Sequence, residues 1–303
     1  MTAPIRLLLG AAAIIALAAC DREAETPAAE QPSAAQDTAE TGQAAAEAGA
    51  GAGDWAAEAP FSLKEETDTA TIEISTPEEV LSRDRALYEQ IFVEADAAAE
   101  HFKQTAEEGK ADAEANDYPF RPYTREVEWA APFDNGEIAS LIGQVWEYTG
   151  GAHGNNYYDT LTWSFTESGL LVTSDFFVPN QETWDGLSAI AREKLLQAKR
   201  ERFAEYREAS EDVDPMWMDA IKDATAPEVS SFDLMTLVPS TEDGKAGGIK
   251  LYYPPYAVGP YAEGSYEIVL PQADIAQYIA PAYRDLFAGG PAPDPQLNQG
   301  GEE

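Results

Sequence analysis

Hydrophobic and polar residues alternate with a period of two along much of the chain, the pattern of strands that bury one face. The alternation is clearest over 157–165, where Leu161, Trp163 and Phe165 share one face and hydroxyl residues share the other. Asn135-Gly136 predicts a hairpin turn, and Glu167-Ser168-Gly169 predicts a second turn. Further strands are predicted near the end of 61–75 and over 124–130, 137–148, 170–177, 248–255 and 264–271. The middle of the chain is therefore predicted to be an antiparallel meander.

Other stretches repeat their apolar residues at helical spacing. Thr76, Pro77 and Glu79 predict a helix start, because an N-cap threonine, a first-turn proline and a glutamate at the third position form a capping box. The predicted helix fades over 107–117, and its apolar stripe comprises Val80, Leu87, Ile91, Ala95, Ala98 and Phe102. A second helix is predicted over 184–206, and shorter helical pieces over 215–224 and 274–287.

Helices and antiparallel strands that follow one another in this way predict an α+β fold with two main helices. Hydrophobic residues make up 44% of the chain and aromatic residues 10%, which is enough to bury a core. We expect a folded head over 60–287, with an N-terminal part at 60–178 and a C-terminal part at 179–287.

The first twenty residues predict a lipoprotein leader. Residues 1–19 carry one positive charge, at Arg6, and then a thirteen-residue apolar run that stops at Cys20, the only cysteine. This run is short for a membrane span and is typical of a secretory signal peptide. The residues before Cys20 resemble the bacterial lipobox, which implies cleavage before Cys20 and lipidation of its thiol. An ordinary secretion signal is the alternative. The expected location is the periplasmic side of a bacterial membrane, inner or outer.

Residues 20–59 and 288–303 lack the bulky apolar residues that a core requires. The first of these segments is rich in alanine and acidic residues, with Trp55 as its exception. Such composition predicts a disordered tether that holds the head away from the membrane, and a disordered tail at the other end.

The net charge of −36 narrows the class of partner. The leader carries +1, the tether −8 and the tail −3, which leaves −26 on residues 60–287. We expect no binding to nucleic acid, because no basic patch is available to neutralise phosphates. A head of this charge attracts basic proteins instead.

His153 is the residue of greatest chemical interest, within the loop sequence YTGGAHGNNYY at 148–158. The other histidine, His101, is predicted to lie on the surface of the first helix. A zinc site needs about three ligands, so we expect no metal and no cofactor. No GxSxG motif accompanies His153. Asp159, Asp175 and Glu263 could be imagined as a glycan-cleaving pair, but the chain has 55 acidic residues, so any such pair is available by chance. We therefore expect no enzymatic activity.

Two interpretations of the His153 loop stay open. The loop is a turn permitted by its glycines, or it is a recognition surface in which polar groups and flat aromatic rings suit a glycan or a protein partner. The residues of the recognition hypothesis are Tyr148, His153, Asn155, Asn156, Tyr253, Tyr256 and Tyr261. Tyrosine packing in a strand corner is the alternative for each tyrosine.

The GGAHG loop, the SDFF segment at 174–177 and the stretch YYPPYAVGPYAEGSYEIVLP at 252–271 resemble the extracytoplasmic domains of the RsiV and PdaC type. RsiV is a lysozyme-sensing anti-sigma factor, and PdaC is a peptidoglycan deacetylase with a separate catalytic domain. The resemblance covers 60–287. It implies an envelope location and a surface for a wall ligand, such as peptidoglycan, or for a basic wall-acting protein such as lysozyme. We expect neither the signalling output nor the deacetylase activity to carry over, since no sigma-binding segment or deacetylase domain is seen.

Overall fold

The computed structural model describes residues 54–57, 59–204 and 215–293 of the 303. The leader, Cys20, most of the tether and residues 294–303 lie outside the described residues. The predicted α+β class is confirmed. Within the described ranges, no helix combines the length and the apolar character that a membrane crossing requires.

The described residues contain nine strands, which form two sheets. The strands are β1 (Ser62–Glu66), β2 (Ala70–Ser75), β3 (Tyr123–Asp134), β4 (Ile138–Tyr148), β5 (Asn155–Ser164), β6 (Gly169–Leu171), β7 (Met235–Pro239), β8 (Ala246–Tyr253) and β9 (Tyr266–Pro271). The first sheet has the order β1-β2-β3-β4-β5-β6, and the second has the order β7-β8-β9.

The helices are α1 (Glu78–Leu81), α2 (Arg85–Tyr88), α3 (Glu94–Ala115), α4 (Gln181–Phe203), α5 (Pro215–Ala224) and α6 (Gln272–Ile275). A π-helical turn, Glu89–Val93, joins α2 to α3. The two main helices of the prediction correspond to α2–α3 and α4. Asn180 caps α4 by accepting a hydrogen bond from the Thr183 N–H at 2.8 Å.

The meander prediction holds for β3 to β6, which pair antiparallel, but β2 and β3 pair parallel. A parallel pair needs a crossover connection, and α1–α3 supply it. The predicted strand at 170–177 ends at Leu171, because the next residues turn into a short 3-10 helix, Thr173–Asp175. Strand β7 was not predicted. The predicted helix over 274–287 is broken into α6 and 3-10 turns around Pro281.

The predicted start of the first long helix is wrong. Thr76 caps nothing; its hydroxyl donates to the Phe61 carbonyl at 2.7 Å. Asp84 is the N-cap instead, and its carboxylate accepts from the N–H groups of Ala86 and Leu87. The helix also continues to Ala115, through the stretch where its pattern was expected to fade.

Residues on both sides of 60–287 contact the head. Trp55 lies against Tyr88, with ring centroids 5.3 Å apart, although the composition of its segment predicted disorder. At the other end, the Ala288 N–H donates to the Ala246 carbonyl, and the Ala292 N–H donates to the Pro239 carbonyl. The first residues of the predicted tail therefore extend the edge of the second sheet, because backbone pairing needs no apolar side chains.

Two hydrophobic clusters lie on opposite faces of the first sheet. One packs α1–α3 against β2–β5. The other joins α4, α5 and the second sheet, and it includes Phe133 and Leu171 from the first sheet. The second sheet covers only part of this face. Thr160 donates to the Asp233 carbonyl, and Ser140 accepts from the Leu237 N–H. The end of the face where β4 stops and β5 begins remains open.

Candidate functional site

The loop 149–154 joins β4 to β5 and carries His153 at its exposed end. Gly150 adopts φ +83, a left-handed conformation that favours glycine. Gly154 lies against the indole of Trp146, and a Cβ there would come within 2.5–2.6 Å of the ring. Two of the loop glycines are therefore required by geometry.

The segment between β8 and β9 approaches this loop from the second sheet. Prolines at 254, 255 and 260 restrict its backbone, and Tyr261 begins a short 3-10 turn, Tyr261–Glu263. Tyr256 adopts φ +72, an uncommon conformation for a residue with a bulky side chain, and is 48% exposed. The fold thus holds an aromatic side chain in solvent on a constrained backbone.

The two segments meet at His153. Its ring stacks on Tyr261, with centroids 3.8 Å apart and planes 20° from parallel. The Tyr261 hydroxyl donates to the Gly154 carbonyl at 2.7 Å, and Tyr256 lies 5.6 Å from Tyr261 between ring centroids. Nδ1 of His153 lies 2.9 Å from the Gly154 carbonyl, and Nε2 lies 3.5 Å from the Tyr256 hydroxyl. Residues about one hundred positions apart in sequence thus form one cluster.

The first sheet extends this cluster. Trp146 and Tyr148 lie on the same face of β4 with centroids 6.4 Å apart and planes 12° from parallel. Arg121 donates to the Tyr148 hydroxyl at 3.2 Å. We call the joint surface the aromatic strip; it comprises Trp146, Tyr148, His153, Tyr256 and Tyr261.

The other residues of the recognition hypothesis are not members of the aromatic strip. Asn155 and Asn156 are the first residues of β5, not part of the loop tip, although Asn156 is exposed opposite Trp146. Tyr253 is 5% exposed and belongs to the core of the second sheet, so it is corrected from a surface residue to a core residue. His101 is exposed on α3, as predicted.

A buried charge pair holds the Tyr261 turn on α4. Nζ of Lys199 lies 2.5 Å from Oε2 of Glu263 and donates to the Val258 carbonyl at 2.8 Å. The Tyr266 hydroxyl donates to the same carboxylate at 2.7 Å, and burial raises the pKa of Tyr266 well above its ordinary value. A side chain at Gly259 would overlap both Glu263 and Lys199. The network therefore positions the backbone next to the strip.

The sequence prediction did not include Trp146 or Lys199. The period-two pattern of β4 places Trp146 beside Tyr148, and that spacing is a usable signal. No local pattern distinguishes Lys199 from the other charged residues of its helix, because its partner lies 64 residues away.

The carboxylates considered for glycan cleavage do not form a pair. Glu263 belongs to the buried network, and Asp175 accepts from the Val172 N–H at 2.8 Å. Asp159 lies on β5 in register with Gly143, on the face opposite Trp146. Among the described residues, no group of three histidine, cysteine or acidic side chains is arranged to hold a metal ion. A cleft in the described part of the chain lies between the β1–β2 turn and α3, and none of its lining residues belongs to the strip.

Comparison with known proteins supports the resemblance stated from the sequence. A family model described as Deacetylase PdaC matches residues 63–156, and a model described as Protein of unknown function (DUF3298) matches residues 174–273. The resemblance to the RsiV and PdaC type is thereby confirmed. Among proteins with curated functions, none matches the chain.

Solved structures similar to this chain include two DUF3298 family proteins. A member of the DUF3298 family from Bacteroides fragilis is 17% identical, with a TM-score of 0.49, and the match covers 73% of this chain and 92% of the other. A DUF3298 family protein from Pseudomonas aeruginosa is 16% identical, with a TM-score of 0.46, and the match covers 75% of this chain and 95% of the other.

Proposed function

From its PdaC-like and DUF3298-like regions, we propose that the chain is a non-catalytic lipoprotein of the bacterial cell envelope. It is anchored through a lipidated Cys20 on the periplasmic side of the membrane. Its head binds or senses a wall-associated ligand, which is peptidoglycan or a basic wall-acting protein such as lysozyme. The binding surface is the aromatic strip.

The observation that supports this proposal is the assembly of the strip from separate segments. The β4 end, the His153 loop and the β8–β9 connection each contribute rings, and the Lys199–Glu263 pair fixes the last of these. Tyr256 remains 48% exposed on an uncommon backbone conformation. Rigid aromatic side chains at a solvent surface are typical of recognition sites, because they offer contact area with little loss of conformational freedom.

The environment of His153 favours binding over hydrolysis. Its ring nitrogens face a backbone carbonyl and a tyrosine hydroxyl. Neither is the carboxylate that orients the histidine of a catalytic triad. The stacking on Tyr261 gives the imidazole a packing role that needs no proton transfer.

The proposal is tested by binding of the purified full-length chain to sacculi and, separately, to lysozyme. Both are measured at low salt and in about 1 M NaCl, where the Debye length is about 3 Å and attraction by the acidic head is screened. We expect binding that persists in salt and weakens roughly tenfold in His153→Ala and Tyr256→Ala, which equals about 1.4 kcal/mol.

Tyr157→Ala is the matched control. Tyr157 is 47% exposed, similar to Tyr256, but it lies on the opposite face of β5 from Asn156. Binding that salt abolishes, or that falls equally in the control, would contradict the proposal. Release of soluble fragments from sacculi that is lost in His153→Ala would indicate a hydrolase, and neither binding nor release would indicate a structural envelope protein.

A further inference from the structure

Trp146 packs its indole against a glycine of the His153 loop and remains partly exposed. A Cβ on Gly154 would fall 2.5–2.6 Å from Cε2, Cζ2 and Nε1 of the ring, so the indole rests against the bare backbone. The side chain is half-buried, and the nearly parallel ring of Tyr148 continues the surface. The two rings thus form a nearly parallel pair beside the loop, with centroids 6.4 Å apart.

Polar side chains flank this pair of rings on both neighbouring strands. Trp146 is in register with Glu126 on β3 and with Asn156 on β5, and residues directly opposite each other project from the same face. Both neighbours are exposed. Gln144 and Glu128 form the next registered pair along the same face, and both are also exposed. The indole therefore has carboxylates on one side and a carboxamide on the other.

This combination matches the chemistry of a pyranose ring. The ring face of an equatorially substituted sugar is apolar, and its rim carries hydroxyl groups that both donate and accept hydrogen bonds. A carboxylate accepts, and a carboxamide does both. A few placed polar groups around an aromatic surface are the usual composition of a small-molecule site.

We infer that the ligand recognised at the aromatic strip is a glycan chain, one pyranose ring of which stacks on Trp146 while Asn156 and Glu126 bind its hydroxyls. This inference rests on the proposed function and specifies the ligand class of the same site. Tyr148 and Tyr261 are placed to contact the neighbouring sugars of the chain. The alternative occupant is a basic protein segment, which would bind through the charges of Glu126 and Glu128. The test below distinguishes it from a glycan.

The test is titration of the full-length chain with defined hexamers of β-linked N-acetylglucosamine and of glucosamine, followed by calorimetry. The acetylated hexamer is uncharged, and the glucosamine hexamer carries ammonium groups. We expect the acetylated hexamer to bind with an affinity that changes less than about twofold between low salt and 1 M NaCl, because no ion pair is screened. Trp146→Ala should weaken this affinity at least tenfold, and Asn156→Ala should weaken it severalfold.

Tyr157→Ala again serves as the control and should leave the affinity unchanged. Asn156→Ala keeps the test decisive if Trp146→Ala unfolds the loop, because Asn156 is exposed and its side chain packs nothing into the core. Urea unfolding of each variant separates a binding defect from a folding defect.

Three results would overturn the inference. The first is that the acetylated hexamer does not bind, while binding to sacculi or lysozyme still depends on Tyr256. In that case the proposed function stands and only the glycan inference fails. The second is binding of the glucosamine hexamer alone that 1 M NaCl removes, which is charge attraction. The third is acetylated-hexamer binding that is unaffected by Trp146→Ala and Asn156→Ala. If binding to sacculi and to lysozyme also fails to depend on the aromatic strip, the proposed function is overturned together with the inference.

Discussion

Lys199 and Glu263 are the residues whose charges the fold can least easily leave unpaired. The Lys199 side chain is 2% exposed and that of Glu263 is 11% exposed. Lys199 also lies 4.5 Å from the centroid of the Tyr266 ring, which adds a cation–π contact. The pair lies between α4 and the turn that carries Tyr261. Breaking it should therefore lower the stability of the protein and also displace Tyr261 in the aromatic strip.

Glu263→Gln is predicted to lower the free energy of unfolding by about 3 kcal/mol, because Lys199 stays buried and loses its counter-charge. Urea unfolding measures this change. Glu73→Gln is the matched control, since it removes the partner of Lys64 in a pair whose side chains are 74% and 50% exposed. That control should cost about 1 kcal/mol or less, and equal losses in the two variants would contradict the prediction.

At the scale of the element, Asp84 joins the start of the α2–α3 helix to the β5–β6 hairpin. Its Oδ1 accepts from the Ala86 N–H at 2.9 Å, while Oδ2 accepts from Trp163 Nε1 at 3.2 Å and from the Ser168 hydroxyl at 2.6 Å. Ser168 is held at φ +47, at the turn of that hairpin. One carboxylate thus replaces the capping box predicted at Thr76.

Asp84→Ala is therefore predicted to destabilise the protein by about 2 kcal/mol or more, the upper range for an N-cap, because Trp163 also loses its acceptor. Thr76→Ala removes a single hydrogen bond, to the Phe61 carbonyl, and should cost about 1 kcal/mol. Thermal or urea unfolding of both variants compares them directly. A larger loss in Thr76→Ala would restore the capping-box interpretation.

The element scale also shows where sequence reasoning succeeds. Strand β5 was predicted because apolar and hydroxyl residues alternate along it, and β9, also predicted, alternates between buried and more exposed residues. Strands β4 and β8 were predicted as well, although most of their residues are buried. Strand β7 has four buried residues in a row, a run without alternation, and was missed. The parallel β2–β3 pair was missed because pairing direction depends on the crossover, which no pattern within either strand records.

Strand β8 makes stability sensitive to alkaline pH. Burial raises the pKa of Tyr252 to about 12, and burial raises the pKa of Tyr253 further. The pKa of Tyr252 is thus higher in the folded state than its unfolded value of 10.0. Its contribution to the free energy of unfolding is therefore complete below pH 10 and is lost as the pH rises through 12.

The expected loss attributable to Tyr252 is about 3 kcal/mol, from a pKa difference of two units at about 1.4 kcal/mol each. Urea unfolding at a series of pH values from about 9 to about 12 measures this loss. Tyr252→Phe should retain more of its stability above pH 10 than the wild-type chain. Identical pH profiles for the two would refute this assignment.

At the scale of the molecule, the sequence identified the parts of the candidate site but not their assembly. His153, Tyr256 and Tyr261 were grouped by residue type, and the structure brings them into one cluster. Tyr253 was grouped with them and is buried, because it ends strand β8, whose residues are buried on both faces. Trp146 and the Lys199–Glu263 pair depend on contacts between segments, which composition and periodicity do not encode.

The two sheets are joined by contacts that neither half can make alone, and this leads to the last prediction. Phe133 and Leu171 of the first sheet lie in the core of the second, and Ser140 accepts from the Leu237 N–H at 3.0 Å. Tyr261 bonds to the Gly154 carbonyl across the same boundary. All the described residues belong to one compact unit. We therefore expect residues 60–178 and 179–287 to unfold as a single cooperative structure.

We expect the full-length chain to unfold in one urea transition that coincides for tryptophan fluorescence and far-ultraviolet circular dichroism, the signature of two-state behaviour. Residues 60–178 and 179–287 produced separately should lack that transition, because each exposes the apolar surface that the other covers. Phe133→Ala should lower the free energy of unfolding by about 3 kcal/mol or more. Both probes should report the same loss, because Phe133 belongs to a core that the two sheets share. Two separate transitions, or halves that unfold cooperatively on their own, would show instead that the aromatic strip is assembled from two independent domains.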